Sequence, residues 1–125
     1  MIPEDLQYSA DHEWVRLDGD IATVGITDYA QDQLGDIVYL SLPAVGEAVE
    51  AGAVIGELES TKSVSDLFAP VTGEIVTVND ALESSPETVN SDPYGQGWLI
   101  TVRVSDPGAL EDLMDAAAYG ATTES

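Results

Sequence analysis

The chain has 125 residues, with 24 acidic side chains against 3 basic ones and a formal net charge of −21. Nucleic-acid binding needs a basic footprint that displaces counterions, and docking on an anionic membrane needs one too, so the composition speaks against both. The length suits one domain, and a hydrophobic content of 44% with a mean hydropathy of +0.02 suits a packed core rather than a disordered acidic tail. With no cysteine, disulfides, thiolate catalysis and Cys-based zinc sites are excluded.

The N-terminal stretch from Met1 to Trp14 carries acids where a signal peptide would carry bases and an apolar run. No apolar run approaches the length of a membrane span. A soluble, cytosolic protein is the expectation. His12 to Leu17 then reads as a strand, followed by Asp18-Gly19, the hairpin signal of a type I′ turn. Ile21, Ala22, Val24 and Ile26 continue as the next strand. Thr27 is an N-cap residue, Asp28 favours the first helical turn and Gly35 suits the C′ position, which predicts a short helix from Asp28 to Leu34. Asp36 to Leu42 reads as a strand, stopped by Pro43.

The middle of the chain contains a short internal repeat. Pro43 to Val49 and Pro70 to Val76 both read P-x-x-G-E-x-V. Each copy has a Pro-to-Gly turn feeding a strand, because Pro fixes φ and Gly permits positive φ. Two equivalent turns around a central hairpin predict a quasi-twofold β structure. That hairpin pairs Val54 to Glu59 with Val64 to Ala69, joined by the small polar turn Ser60-Thr61-Lys62-Ser63. Gly73 to Val78 is a further strand, and Asn79 to Pro93 is mostly loop. Gly97 to Val104 alternates, with Trp98, Ile100, Val102 and Val104 on one face. Asp106-Pro107 opens a C-terminal helix, on which Leu110, Leu113, Met114 and Ala117 have helical spacing. The helical segment covers about 106–120, and Ala121 to Ser125 fray.

The bases are Arg16, Lys62 and Arg103, so the sole lysine stands at a hairpin tip. Such a tip is exposed and rigidly presented, and its amine can carry a prosthetic group in amide linkage. The acids, in contrast, are dispersed from Glu4 to Glu124. At about 1 M salt the Debye length is roughly 3 Å, so their self-repulsion is screened, and a salt-loving source is the expectation.

Glu59-Ser-Thr-Lys62-Ser-Val-Ser-Asp66 resembles the lipoylation hairpin of the glycine cleavage system H proteins. The resemblance extends over His12 to Val15, Ile21 to Gln31, Leu34 to Val38, Ala69-Pro70, Gly73-Glu74, Asn90 to Tyr94 and Gly97-Trp98. It implies a mainly β fold, a flattened β-barrel or barrel-sandwich hybrid with short helices, as one lipoyl-carrier domain over residues 1–125. It also implies a carrier rather than an enzyme, with lipoic acid amidated to Lys62. The arm takes the aminomethyl group of glycine from the pyridoxal-phosphate glycine decarboxylase to the tetrahydrofolate-dependent aminomethyltransferase. FAD-containing dihydrolipoamide dehydrogenase then reoxidises it. The family's pattern makes Glu13 and Asp66 candidates for a cleft where the loaded arm rests, and Glu59, Gly46 and Gly73 candidates for recognition by the lipoate-attaching enzyme. Turn geometry alone also accounts for both glycines. The family often has a serine where this chain has Asp11, which puts a serine contact in doubt. His12, Trp14 and Trp98 read as structural residues, and the free protein as a monomer.

Rival carriers fit less well. A biotinyl lysine usually has methionine neighbours, and lipoyl domains of 2-oxo acid dehydrogenases usually have Asp before the lysine. Thr61 and Ser63 flank it here. An H-like protein that relays lipoyl groups to other acceptors remains a close alternative. A lysine-independent acidic scaffold is a more distant one.

Overall fold

The computed structural model describes residues 4–105 and 113–123. Two antiparallel sheets face each other. The larger runs, in spatial order, β1 (Gln7–Tyr8), β2 (Glu13–Asp18), β3 (Ile21–Ile26), β9 (Ile100–Val104), β8 (Gly73–Val78) and β5 (Ala48–Val49). The smaller runs β4 (Ile37–Ser41), β6 (Val54–Ser60) and β7 (Val64–Phe68). Helices α1 (Asp28–Leu34), α2 (Ala81–Ser84) and α3 (Thr88–Ser91) fill connections, and α4 (Ala116–Thr123) follows the last strand. Val24, Ile75, Ile100 and Val102 from one sheet and Ile37, Leu58 and Leu67 from the other meet in a shared apolar core. This is the mainly β, flattened barrel-sandwich with short helices that the resemblance implies, and it agrees with the quasi-twofold β structure expected from the repeat.

The two repeat copies meet in space. Ala48 pairs with Glu74 and Val49 with Gly73. The Gly46 N–H donates to the Ile75 carbonyl at 2.8 Å, and the Ile75 N–H donates to the Glu47 carbonyl at 2.9 Å. The glycines nonetheless serve different needs. Gly46 has φ 91°, which a turn requires. Gly73 is not among the residues with positive φ but sits so close to the Arg103 carbonyl that a Cβ would collide with it. Turn geometry therefore accounts for Gly46 only.

Other local expectations shift. The first hairpin closes over Gly19 and Asp20, because Asp18 already pairs with Ile21. Only Gly19 has positive φ there, so the turn is not type I′. Asn79 to Pro93 contains two one-turn helices, α2 and α3, which bury Leu82 and Val89. The predicted start of the C-terminal helix, including Asp106, Pro107 and Leu110, lies outside the described residues. Leu113 and Met114 are not helical. Met114 makes an isolated antiparallel bridge with Tyr8, with N–H to carbonyl distances of 2.7 and 2.8 Å. α4 begins at Ala116, leaves Ala117 exposed and buries Tyr119 instead. Ala121 to Thr123, expected to fray, belong to this helix.

A second apolar cluster of Leu6, Tyr8, Trp14 and Tyr119 holds α4 against the outer end of the larger sheet. Tyr8 and Tyr119 stack with centroids 4.7 Å apart. Trp14 is fully buried, and its Nε1–H donates to the Pro93 carbonyl at 2.8 Å. Its indole lies flat on Gly25, where a Cβ would come within 2.6 Å of the ring. Because Trp14 is pinned by that hydrogen bond, Gly25→Ala should overpack the site and destabilise the fold by about 1–3 kcal/mol. Denaturant unfolding checks this: the midpoint should fall with no change in slope.

A lysine hairpin beside an acidic cleft

The β6–β7 hairpin pairs Glu57 with Asp66, Leu58 with Ser65 and Glu59 with Val64. Ser60 organises its turn. The Ser60 N–H donates to the Ser63 carbonyl at 2.8 Å, while its Oγ accepts from the N–H groups of Lys62 (3.1 Å) and Ser63 (3.0 Å). The Thr61 N–H donates to the Asp36 carbonyl at 3.1 Å, tying the tip to the segment after α1. The backbone at Lys62 is thus fixed, and its side chain is exposed. The lysine stem lies over Gly35, with Cε 2.9 Å from where a Cβ would stand. Gly35 has φ 85° and caps α1, its N–H donating to the Gln31 carbonyl at 3.0 Å. Asn90 locks this corner: its Nδ2 donates to the Gly35 carbonyl (2.8 Å) and to Gln31 Oε1 (2.9 Å), and its Oδ1 accepts from the Ile37 N–H (2.8 Å).

Next to Gly35, Leu34 lines a cleft of about 280 Å³. Its walls come from the β1–β2 loop (Asp11, His12), from the first residue of β2 (Glu13), from α1 and from the β6–β7 hairpin (Leu58, Asp66, Leu67). Consecutive residues of a strand point to opposite faces. His12 stands just before β2, outside that alternation, in a left-handed turn with φ 66°, and it and Glu13 line the same cleft. Glu13 is only 2% exposed. One carboxyl oxygen accepts from Ser9 Oγ at 2.8 Å and the other from the Phe68 N–H at 3.0 Å. Burial outweighs those two bonds and pushes its pKa up to about 8, so the carboxyl is mostly protonated at pH 7.

The structure therefore brings Glu13 and Asp66 to one cleft and places Lys62 on the hairpin that supplies one of its walls. Glu59 shares that hairpin, exposed between Tyr39 and Val64. Gly46 and Gly73 lie elsewhere, in and beside the β5–β8 ladder of the other sheet. Asp11 lines the cleft, and the serine that bonds Glu13 is Ser9, two residues before it. Trp14 lies inside the second apolar cluster and Trp98 packs against that cluster, so both have structural roles. Sequence reading overlooked Gly35 as the lysine's bed, Asn90 as a lock and Tyr119 as a partner of His12. Gly35 already carried a signal, since its C′ position next to a helix end explained it too easily. Among the described residues there is no cluster of three potential metal ligands, and no helix is long and apolar enough to cross a membrane.

A two-sheet sandwich that presents one rigidly held lysine beside a cleft has the architecture of a prosthetic-arm carrier. The family model for the glycine cleavage H-protein matches residues 6–125. The chain is 58% identical over 119 residues to a glycine cleavage system H protein of Bacteroides thetaiotaomicron, covering 95% of this chain and 94% of that one. It is also 58% identical over 123 residues to one from Anaeromyxobacter sp. strain K, covering 98% and 96%. A crystal structure of a glycine cleavage system H protein from Mycobacterium marinum superposes with a TM-score of 0.91 at 46% identity, covering 99% of this chain and all of that one. The chain belongs to the glycine cleavage H-protein family, the lipoyl carriers of the glycine cleavage system, whose members bind lipoic acid covalently on a lysine.

The raised Glu13 pKa has a definite sign. A carboxyl whose folded pKa lies above its ordinary value of 4.5 favours folding fully below pH 4.5, and that contribution is lost as pH rises through about 8. Glu13→Gln copies the neutral acid without titrating. Between pH 5 and about 9, the wild type should lose denaturant stability relative to this variant. Parallel unfolding midpoints across that range check it.

Proposed function

We propose that Lys62 carries lipoic acid in amide linkage through its ε-nitrogen and that the neighbouring cleft shelters the arm's cargo. One observation carries this reading. The chain's only lysine stands on a pinned hairpin, with its stem laid across Gly35 beside the cleft wall. When bound, the dithiolane supplies the sulfur chemistry that takes up the aminomethyl group of glycine and is afterwards reoxidised. The cleft suits both parts of such an arm. Leu34, Leu58 and Leu67 offer apolar surface to its hydrocarbon, and the carboxyls of Asp11, Glu13 and Asp66 offer acceptors to a protonated amine. A cation beside Glu13 favours the ionised carboxylate, so the residue trades its proton for the charge it receives. The apolar walls keep water from the cargo.

In this reading the whole chain is one carrier domain with no chemistry of its own. Its cargo passes from glycine decarboxylase with pyridoxal phosphate to aminomethyltransferase with tetrahydrofolate, and dihydrolipoamide dehydrogenase with FAD resets the arm. Glu59 guides the lipoate-attaching enzyme, helped by Gly46 and Gly73 through the shape they give the barrel. The protein works as a monomer in the cytoplasm, and its dispersed acids reflect a salt-rich interior.

Intact-mass measurement after incubation with lipoate and a lipoate ligase should show one added lipoyl group, and Lys62→Arg should abolish it. No gain in the wild type with a competent ligase would remove the reading. With glycine and the decarboxylase added, Glu13→Gln should shorten the lifetime of the cargo. An equal lifetime would take Glu13 out of the cleft's function. Raising salt from dilute buffer to about 1 M should raise the unfolding midpoint. Greatest stability in dilute buffer would contradict a salt-adapted surface.

A further inference from the structure

His12 stands at the mouth of a buried hydroxyl chain. Its Nδ1 lies 2.8 Å from the Tyr119 hydroxyl, which lies 2.6 Å from Thr27 Oγ1. Thr27 and Tyr119 are both fully buried. The protons in this chain can be placed by elimination. Thr27 Oγ1 already accepts the Ala30 N–H at 3.2 Å as the cap of α1, and Tyr119 is the acceptor within its reach. The Thr27 proton therefore goes to the Tyr119 oxygen. Tyr119 in turn gives its own proton to His12 Nδ1. The opposite order would leave the Thr27 proton buried without an acceptor, the costliest way to break a hydrogen bond. A neutral imidazole that accepts at Nδ1 carries its proton on Nε2.

We propose that this relay makes His12 a neutral N–H donor subsite of the cleft, which takes an uncharged acceptor of the carried arm, its amide oxygen or a sulfur, while the carboxyls take the ammonium. His12 lines the cleft and Tyr119 does not, so the edge opposite Nδ1 is the one turned away from the relay. The titratable groups facing the ring or sharing its cleft come from every packed element: Asp11 from its own loop, Glu13 from β2, Tyr29 from α1 at 4.8 Å between centroids, Asp66 from β7 across the cleft and Tyr119 from α4. An imidazolium among them would repel the cargo's ammonium and compete for the same carboxyls. Protonating Nδ1 would also set an N–H against the Tyr119 hydroxyl proton, so the relay opposes the charged form. Burial of the ring acts in the same direction and lowers its pKa from the ordinary 6.5, against the opposing pull of Asp11. The use of this donor rests on the carrier reading, whereas the tautomer does not.

Long-range proton–nitrogen NMR spectra of the 15N-labelled protein, without the arm, read the tautomer directly. The expected result is a neutral Nε2–H ring at pH 7. Tyr119→Phe keeps the ring that stacks on Tyr8 and removes only the hydroxyl. In this variant the tautomers should mix and the titration midpoint of His12 should rise. An Nδ1–H or imidazolium form in the wild type at pH 7, or an unchanged spectrum in the variant, overturns the relay. If Tyr119→Phe fails to fold, the wild-type spectrum still decides. In the lipoylated protein charged with glycine and the decarboxylase, Tyr119→Phe should shorten the cargo's lifetime about three- to tenfold. An unchanged lifetime there, with Glu13→Gln shortening it, overturns the donor subsite alone. Unchanged lifetimes in both variants overturn the cleft reading with it.

Discussion

Burying a carboxyl costs free energy unless its oxygens find donors, and Glu13 finds one on each side of the sandwich. Ser9 Oγ belongs to the loop that closes the larger sheet, and the Phe68 N–H belongs to the smaller one. The carboxyl is therefore a tie between the two sheets at the cleft. Shifting either sheet would strand a buried acid. Ser9 is tied in turn, since its Oγ also accepts from the N–H groups of Asp11 (3.3 Å) and Glu13 (3.2 Å). The left-handed turn at His12 lies inside this closed loop, which is how a non-glycine residue is held at positive φ. The cleft wall, the loop that carries His12 and the junction of the two sheets thus all meet at one hydrogen-bonded carboxyl, beside the apolar core the sheets share.

The turn that presents Lys62 is legible in the sequence because it rests on local chemistry. Ser60, Thr61 and Ser63 are what a tight turn needs, and a single lysine in so acidic a chain has little background to hide in. The same holds for α1, whose limits follow from Thr27 and Gly35. The expected C-terminal helix is present, but Leu113 and Met114 stand outside it, for the opposite reason. Leu110, Leu113, Met114 and Ala117 have helical spacing, yet Met114 is claimed by Tyr8, more than one hundred residues away in sequence, through two backbone hydrogen bonds. Periodicity reports which residues share a face and carries no information about a distant strand that needs an edge partner. Tyr119 escaped notice likewise, because its value lies in a hydroxyl that reaches His12 and Thr27, neither of which is near it in sequence.

The repeat shows how one pattern can have two physical causes. Both copies place glycine before a Glu, and the copies pair with each other as a quasi-twofold arrangement requires. At Gly46 the cause is the sign of φ, and at Gly73 it is the closeness of the Arg103 backbone. A sequence cannot separate these causes, since both demand the same missing Cβ. They predict different tolerances: alanine at 46 meets open space but the wrong φ, whereas alanine at 73 meets a carbonyl.

Helix α1 links the two halves of the site. Its seven residues are too few for a stable isolated helix, and none of them is fully buried. Only Ala30 and Leu34 lean on the core. Its position therefore depends on its ends. At the N-terminus, Thr27 caps the helix and joins the hydroxyl chain to Tyr119 and His12. At the C-terminus, Gly35 turns the chain under the lysine stem, and Asn90 holds that turn from α3. One end is thus fixed to the cleft wall and the other to the lysine's bed. A change at either cap would therefore shift the bed of the Lys62 stem relative to the cleft. This makes the spacing between Lys62 and the cleft a property of helix capping and not of the hairpin alone.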